Sequence, residues 1–283
     1  MHSNGRSCWI TLANKLPNGR LFAVNVRIEP QGGTVTPSNG WLDFNNVDSF
    51  LLIITAGTDY LPDAQRSFRT GINPAADCKA RGDGLSWSSF DTLKAAPVKD
   101  YQRLFNRQSI DLGSSTDVQL AKDTFQRVTD NKTTPDLALY GLYYQFGRYL
   151  MISSSRPGSL PANLQGIWNN SNTPPWNRDY HTDINVQMCY WLNDPAGLGE
   201  TFEPLLTLLE SQIPSWRTLT QAKVRKPRTS TPVRGWTVRV SHNIDGGMGW
   251  EWVPSGSAWY AWHLWDHYTY TLDQEYLKRV YPL

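Results

Sequence analysis

The sequence is poor in the features that most directly announce a chemistry. Its three cysteines, Cys8, Cys78 and Cys189, are widely spaced and fit no CxxC or Cys/His pattern, so neither a disulfide framework nor a zinc cage is indicated. Charge of one sign is missing too. The 27 Lys and Arg stand against 25 Asp and Glu, a balance that provides no field for nucleic acid or an anionic membrane. No run of about 18 apolar residues occurs, so no membrane span is expected. The opening stretch from Met1 to Leu16 lacks the apolar core of a secretory signal. His263 and His267 stand four apart with Asp266 between them, but the glutamate of an HExxH pair is absent, and imidazoles among aromatic residues are more often satisfied core residues. No metal or other cofactor is expected.

Aromatic residues are what the sequence has in excess: 13 Trp and 13 Tyr in 283 residues. Such rings serve large cores or stack on flat ligands, and with no net field a neutral ligand such as a sugar is the natural partner.

The chain is long enough for one large domain or two ordinary ones. Its first part reads as β structure. Phe22, Val24, Val26 and Ile28 alternate with smaller or polar residues, the pattern of a half-buried strand. Gln31-Gly-Gly33 and Ser38-Asn-Gly40 read as turns. The apolar run Phe50 to Ala56, bounded by Asp48 and Gly57, predicts a strand covered on both faces. Two or three strands do not make a stable sandwich, so these are expected to be its closing strands. From 61 to 115 scattered Pro and Gly predict a linker, with a helix near Val98 to Arg107. Beyond Pro135 the pattern becomes helical. Asp136 to Met151 and Ser255 to Tyr270 are apolar or aromatic on every side and should be buried all round. Leu198, Phe202, Leu205, Leu206, Leu209 and Ile213 form one stripe at helical spacing, as an outer helix would. Alternating inner and outer helices predict an α/α toroid, left unfinished where the sequence stops at Leu283.

Two polar, aromatic loops lie between the helices. The first, Ser153 to Trp191, contains Arg156, Asn163, Gln165, Trp168, Trp176, Asp179, His181, Asp183, Asn185 and Gln187. Loops of this length and content are more often functional than idle. Asn, Gln, Asp, Arg and His supply the dense donors and acceptors that sugar hydroxyls need, and Trp supplies a face for the ring. The same composition would also serve a scaffold in which Asn and Gly cap helices and Trp fills a core. The second loop, Gly235 to Gly256, contains His242, Asn243, Asp245, Trp250, Glu251 and Trp252. Asp245 and Glu251 could form an acid/base pair or simply be solvated. Asn131-Lys-Thr133 and Asn169-Asn-Ser171 fit the short N-glycosylation pattern and decide nothing.

Three segments carry a specific likeness: GRYLMISSSRPGSLPANLQGIWNNSNTPPWNRDYHTDINVQMCYW, GLGETFEPL, and GWEWVPSGSAWYAWHLWDHYTYTLDQEYLKRVYPL. They resemble the catalytic-domain signatures of glycoside hydrolase family 95, the α-L-fucosidases with rarer α-L-galactosidase members. The resemblance is strong from about Tyr140 to Leu283 and weaker over the β segment. It implies a mainly α chain: strands of an N-terminal β-sandwich over 1–60, a linker over 61–115, and a partial (α/α)6 toroid over 116–283. It implies inverting hydrolysis of terminal α-L-fucosyl linkages in oligosaccharides or polysaccharides by a secreted or periplasmic parent.

By the same resemblance His181 matches a histidine that contacts fucose, and Asn185 matches the second asparagine of a His-Thr-Asn-Ile-Asn run that binds sugar and holds the attacking water. The first asparagine is replaced here by Asp183, a carboxylate able to act as an ordinary base on the water that inversion requires. Cys189 and Leu192-Asn-Asp194 also depart from the family pattern. Asp183 and Asn185 are therefore the expected catalytic residues. Arg156, Asn163, Gln165, Trp168, Trp176, His181, Gln187, His242 and Trp250 are the expected sugar-binding ones. The family's general acid is a glutamate in a Ser-Pro-Glu-Asn-like motif, which does not occur in these residues, so the chain alone is expected to be inactive or weak. A non-catalytic fucose-binding protein, an α-L-galactosidase and another (α/α)6 glycosidase remain the alternatives.

Overall fold

The computed structural model describes residues 2–3, 8–39, 41–85, 88–224, 230–231 and 233–283. The chain forms two compact units, Met1–Lys99 and Asp100–Leu283. The division falls inside the segment expected as a linker.

In the first unit, β1 (His2–Ser3), β2 (Cys8–Lys15), β3 (Leu21–Gln31) and β6 (Ser49–Thr58) make one antiparallel sheet in the order β1-β2-β3-β6. β4 (Thr34–Ser38) and β5 (Trp41–Asn45) form a separate hairpin. Gly33 makes the turn into β4, at φ +53°, where an added Cβ would lie 2.1 Å from Asn45 O. Asn39 is left-handed as well, while Gly40 of the second expected turn lies outside the described residues.

Helix α1 (Pro74–Gly84), capped by the Asn73 side chain on Ala75 N, packs on β3 and β6. This contact buries the face of β3 opposite to most of its alternating apolar residues. The face under the helix is Ala23, Asn25 and Arg27, which are buried, whereas on the opposite face Phe22, Val24 and Val26 are only partly covered and Ile28 is buried, against Cys8 and Val35. The reason is the closeness of approach: a Cβ on Gly82 would lie 3.2 Å from Asn25 Oδ1, and one on Gly57 would lie 3.2 Å from Cys78 Sγ. Only small or slender side chains fit in such a gap. β6 is likewise covered on one face, not two. Ile53 and Thr55 are buried, but Leu52 and Ile54 are exposed, the latter to 64%, because α1 lies on one side alone.

The helix expected near Val98 is longer: α2 runs Phe90–Phe105 through Pro97, with Ser89 Oγ accepting from Thr92 N at 3.1 Å. A cap and a first turn on its N-terminal side outweigh the cost of one proline.

The second unit continues with α3 (Asp117–Leu120), α4 (Thr124–Asp130), α5 (Leu137–Ser154), β7 (Tyr180–His181), α6 (Asn185–Tyr190), α7 (Glu203–Lys223), β8 (Val238–His242), β9 (Met248–Val253), α8 (Pro254–Thr271) and α9 (Gln274–Val280). Its core gathers Leu104, Met151, Tyr190, Phe202, Trp216 and Tyr260 with the inner face of α7. Leu205, Leu206, Leu209 and Ile213 bury as the stripe requires, while Glu203 and Glu210 reach out to Arg279. Leu198 and Phe202 precede α7, on a 3-10 turn at Gly199–Phe202.

Arg148, wholly buried on α5, pairs with no carboxylate among the described residues. Its guanidinium donates to the carbonyls of Leu104, Phe105, Gln108 and Ala196 and to Gln145 Oε1 at 2.7–3.1 Å. It thereby closes off the C-terminus of α2, whose last carbonyls lack intrahelical donors.

The all-round burial expected for α5 and α8 is not found. On α5 Leu142, Tyr143 and Phe146 are exposed and, with Val128 of α4, line an apolar groove; on α8 Trp262, Trp265 and Tyr270 are exposed. These faces are apolar all round, but the described chain packs against one side of each. No helix among the described residues is long and apolar enough to cross a membrane.

Candidate functional site

A small antiparallel ribbon joins the two polar loops. β7 pairs with β8 and β8 with β9, so that Tyr180 lies opposite His242 and His181 opposite Ser241. Thr182 extends the pairing through its amide and hydroxyl to Val240 O and Arg239 O, beside a bulge between Arg239 and Ser241. Since strand side chains alternate in direction, neighbouring residues of β7 meet different surroundings.

One face sinks into the core. The Tyr180 and His242 rings stack at 5.4 Å and 16°, Trp216 closes on His242 at 4.7 Å, and His242 Nε2 lies 2.9 Å from the Tyr260 hydroxyl. Burial holds the His242 imidazole neutral, with its pKa pushed down to about 3. His242, expected to bind sugar, is thus enclosed by aromatic rings.

The other face carries the site. Asp179 and His181, two apart, point the same way, and the Asp179 carboxylate bridges two neighbours. Its Oδ2 accepts from Ser241 Oγ at 2.6 Å, and its Oδ1 lies against Nδ1 of His181. That second contact is off line for a hydrogen bond, so Asp179 Oδ1 and both imidazole nitrogens are buried without a hydrogen-bond partner among the described residues. Two indoles close over the imidazole edge-on, Trp250 at 5.2 Å and Trp176 at 5.8 Å, and they meet each other at 5.5 Å. His181 is 5% exposed under them, whereas Trp176 is 62% and Trp250 45% exposed. Both indoles sit on left-handed backbone, Trp176 at φ 56° within a run that includes Asn177 and Arg178, and Trp250 at φ 68°. Bulky residues rarely adopt that region, and such outliers gather at binding sites.

The remaining expected residues divide into three groups. Loop 161–167 is tied to β7 by Tyr180 Oη donating to Pro161 O at 3.0 Å and Arg178 Nη2 donating to Ile167 O at 2.9 Å. Within it Asn163 Oδ1 accepts from Gln165 N at 2.9 Å, Gln165 Oε1 is buried without a partner, and the Trp168 ring lies over Gly166. A Cβ at Gly166 would come 2.7 Å from that ring, so only glycine admits it. Asp183 and Asn185 are exposed at the start of α6, and neither side chain forms a hydrogen bond among the described residues. Arg156 and Gln187 are engaged elsewhere. Arg156 pairs with Asp100 at 2.5 Å, and the buried Gln187 donates to Thr182 O at 2.7 Å.

In the second loop Asn243 Oδ1 accepts from the amides of Asp245 and Gly247, making the β8–β9 turn, and Glu251 is exposed. His267 meets Asp194 at 2.9 Å and stacks on Phe202, while His263 is buried on the same helix. Among the described residues no group of three or more His, Cys, Asp or Glu could hold a metal ion. Ser241 is the site residue that sequence reasoning missed. A serine within a valine-rich strand carries no signal until its partner strand is known.

Residues 89–283 match the profile of the glycosyl hydrolase family 95 catalytic domain. The chain is 38% identical over 282 residues to Alpha-L-fucosidase 2 of Arabidopsis thaliana, covering 94% of this chain and 32% of that protein. It is 34% identical over 248 residues to Probable alpha-fucosidase A of Aspergillus niger, covering 82% of this chain and 30% of that protein. The chain therefore spans about a third of the length of the curated relatives it matches. With two-thirds of its residues inside the matched profile and the signature segments intact, the chain belongs to glycosyl hydrolase family 95.

Proposed function

We propose that this chain carries the sugar-gripping part of an inverting α-L-fucosidase, which releases terminal α-L-fucose from oligosaccharides or glycans. The observation that carries the reading is the Trp176–His181–Trp250 cluster: two exposed indoles around a buried imidazole whose nitrogens have no partner. Buried polar atoms in native proteins are normally satisfied, and a hydroxyl-rich ligand would satisfy Nε2, the nitrogen turned away from Asp179, once the indoles part. The names of the relatives support fucose as that ligand. Arg156, Asn163, Gln165, Trp168 and Gln187 belong to the surrounding loops as sugar-binding or supporting residues. His242 acts from behind, through Tyr180.

Asp183 and Asn185, solvent-facing at the N-terminal end of α6, are proposed to activate and hold the attacking water. In a longer parent, Asp183→Asn should lower turnover of an aryl α-L-fucoside by about 10²-fold or more. Unchanged turnover would remove Asp183 as base. No Ser-Pro-Glu-Asn-like segment occurs in the sequence, which supports weak or no turnover by this chain alone.

The fold proposed with this function is part of an (α/α)6 toroid over 116–283, preceded by closing strands of a β-sandwich over 1–60 and a connecting region over 61–115. The exposed apolar faces of α5 and α8 and the open face of β6 support it. A second reading, a fucose-binding protein without catalysis, is favoured by the carboxylate at 183. Binding of L-fucose by this chain, set beside turnover by the parent, separates the two.

A further inference from the structure

We infer that Asp179 is a positioning residue that fixes the tautomer of His181, and that Ser241 sets which way Asp179 acts. The inference deepens the fucose-binding reading of His181, and its functional arm rests on that reading.

The arrangement follows from strand geometry. Asp179 and His181 are two apart, and Ser241 stands directly opposite His181 in the ribbon. The carboxylate is thus placed between a hydroxyl on one side and an imidazole on the other. Both acidic and imidazole side chains are nearly enclosed, at 12% and 6% exposed, so water does not stand in for either partner. A carboxylate oxygen offers only lone pairs. Close against Nδ1 of His181, though off line for a hydrogen bond, its negative charge repels a lone pair there and so favours the tautomer with the proton on Nδ1, leaving Nε2 as an acceptor, ready for a hydroxyl proton from the ligand. Ser241 is not arranged as a nucleophile. Its hydroxyl donates to Asp179, not to the imidazole, so the serine–histidine pairing that activates a nucleophilic serine is not formed. Its effect is to occupy Oδ2 and hold the carboxylate plane.

Asp179→Asn tests this, because it keeps the size of the side chain and changes one pattern of donors. Ser241 Oγ has no other acceptor among the described residues, so its O–H is satisfied by donating to the amide oxygen, which turns the amide NH2 toward Nδ1 of His181. An N–H facing Nδ1 demands a bare Nδ1 and moves the proton to Nε2, converting the ligand-facing atom from acceptor to donor. Adding Ser241→Ala removes the constraint, lets the amide flip, and should restore the original tautomer.

The readout is NMR of the imidazole nitrogens in the histidine-labelled whole chain, with His181 identified among the five histidines by the loss of its signals in His181→Gln. The expected result is an Nδ1–H tautomer for the unsubstituted chain, Nε2–H for Asp179→Asn, and Nδ1–H again for the double variant. L-fucose titrated into the same samples should bind about tenfold more weakly to Asp179→Asn, the value of one lost hydrogen bond, and recover in the double variant. Asp179→Glu, which keeps the carboxylate but lengthens its reach, is a second probe should Asp179→Asn fail to fold, and it should retain the Nδ1–H tautomer. An unchanged tautomer in Asp179→Asn, or an Nε2–H tautomer at the outset, overturns the inference. A tautomer that switches as expected while L-fucose binds none of the variants leaves the positioning role standing and overturns the fucose reading instead.

Discussion

Nε2 of His242 and the hydroxyl of Tyr260 face each other at 2.9 Å inside a cage of buried rings. A charge is costly there, so the imidazole is held neutral down to about pH 3, and burial likewise pushes His263 down to about 4. Both groups accept protons more readily unfolded than folded. Their contribution to stability is therefore complete above about pH 6.5 and is lost progressively as pH falls toward 4, by ~1.4 kcal/mol per pH unit for each histidine. Urea midpoints measured at neutral pH and near pH 5 should fall accordingly. His242→Gln should start less stable and show the shallower decline. Equal slopes for the two proteins would mean that His242 takes up no proton on unfolding.

The Asp136 carboxylate caps α5 and receives Arg127 Nε at 2.8 Å and Ser115 Oγ at 2.6 Å. The Arg127 bond, more than any other contact, draws its pKa down to about 2. This is the opposite kind of group: its contribution is present above about pH 4, the ordinary carboxylate value, and is lost as pH falls toward 2. Arg127→Met should lower thermal stability at neutral pH and shrink that final acid step, the Ser115 and Leu139 hydrogen bonds retaining the remainder, which a melting series across the window would reveal.

Arg148 should be intolerant of change. Replacing it with Met takes a donor from four carbonyls, of which those of Phe105 and Ala196 have no other among the described residues, and each unmet group costs about 1–3 kcal/mol, a large part of the stability of an ordinary domain. Arg148→Lys should recover less than half of the loss, since an ammonium cannot reach in all of those directions. Chemical denaturation of the three proteins checks the order; a fully stable Arg148→Lys would argue that charge alone matters there.

Trp176 places a large ring on left-handed backbone. Trp176→Gly should relieve about 1 kcal/mol of strain and, because the indole is mostly exposed, sacrifice little packing. Stability should hold or rise while sugar binding falls. A fall in both would show that the indole packs more than it recognises.

Much of this was readable from residue type and spacing. The polar loops with their paired tryptophans, the apolar stripe of α7, the alternating strand at Phe22 and the family signatures all stand in the sequence, as does the reason to suspect His181. What could not be read was what covers what. The spacing of Phe22, Val24 and Val26 marks a two-faced strand but cannot say that a helix with Gly82 at its contact point will choose the smaller face. The aromatic excess of α5 and α8 predicts burial only if neighbours are present to supply it. Ser241 became visible only when a strand some sixty residues away in sequence was found beside it. His242, which composition groups with the sugar ligands, differs from His181 only in the direction of one strand residue.

That last difference exposes a fragility in the ribbon. Adding or deleting a single residue in the short turn 243–247 would slip β9 by one place against β8 and turn Trp250 away from His181. Natural variation in that turn should therefore occur in steps that preserve parity, and grafting it between relatives will succeed only when it is transplanted together with the two strands that index it.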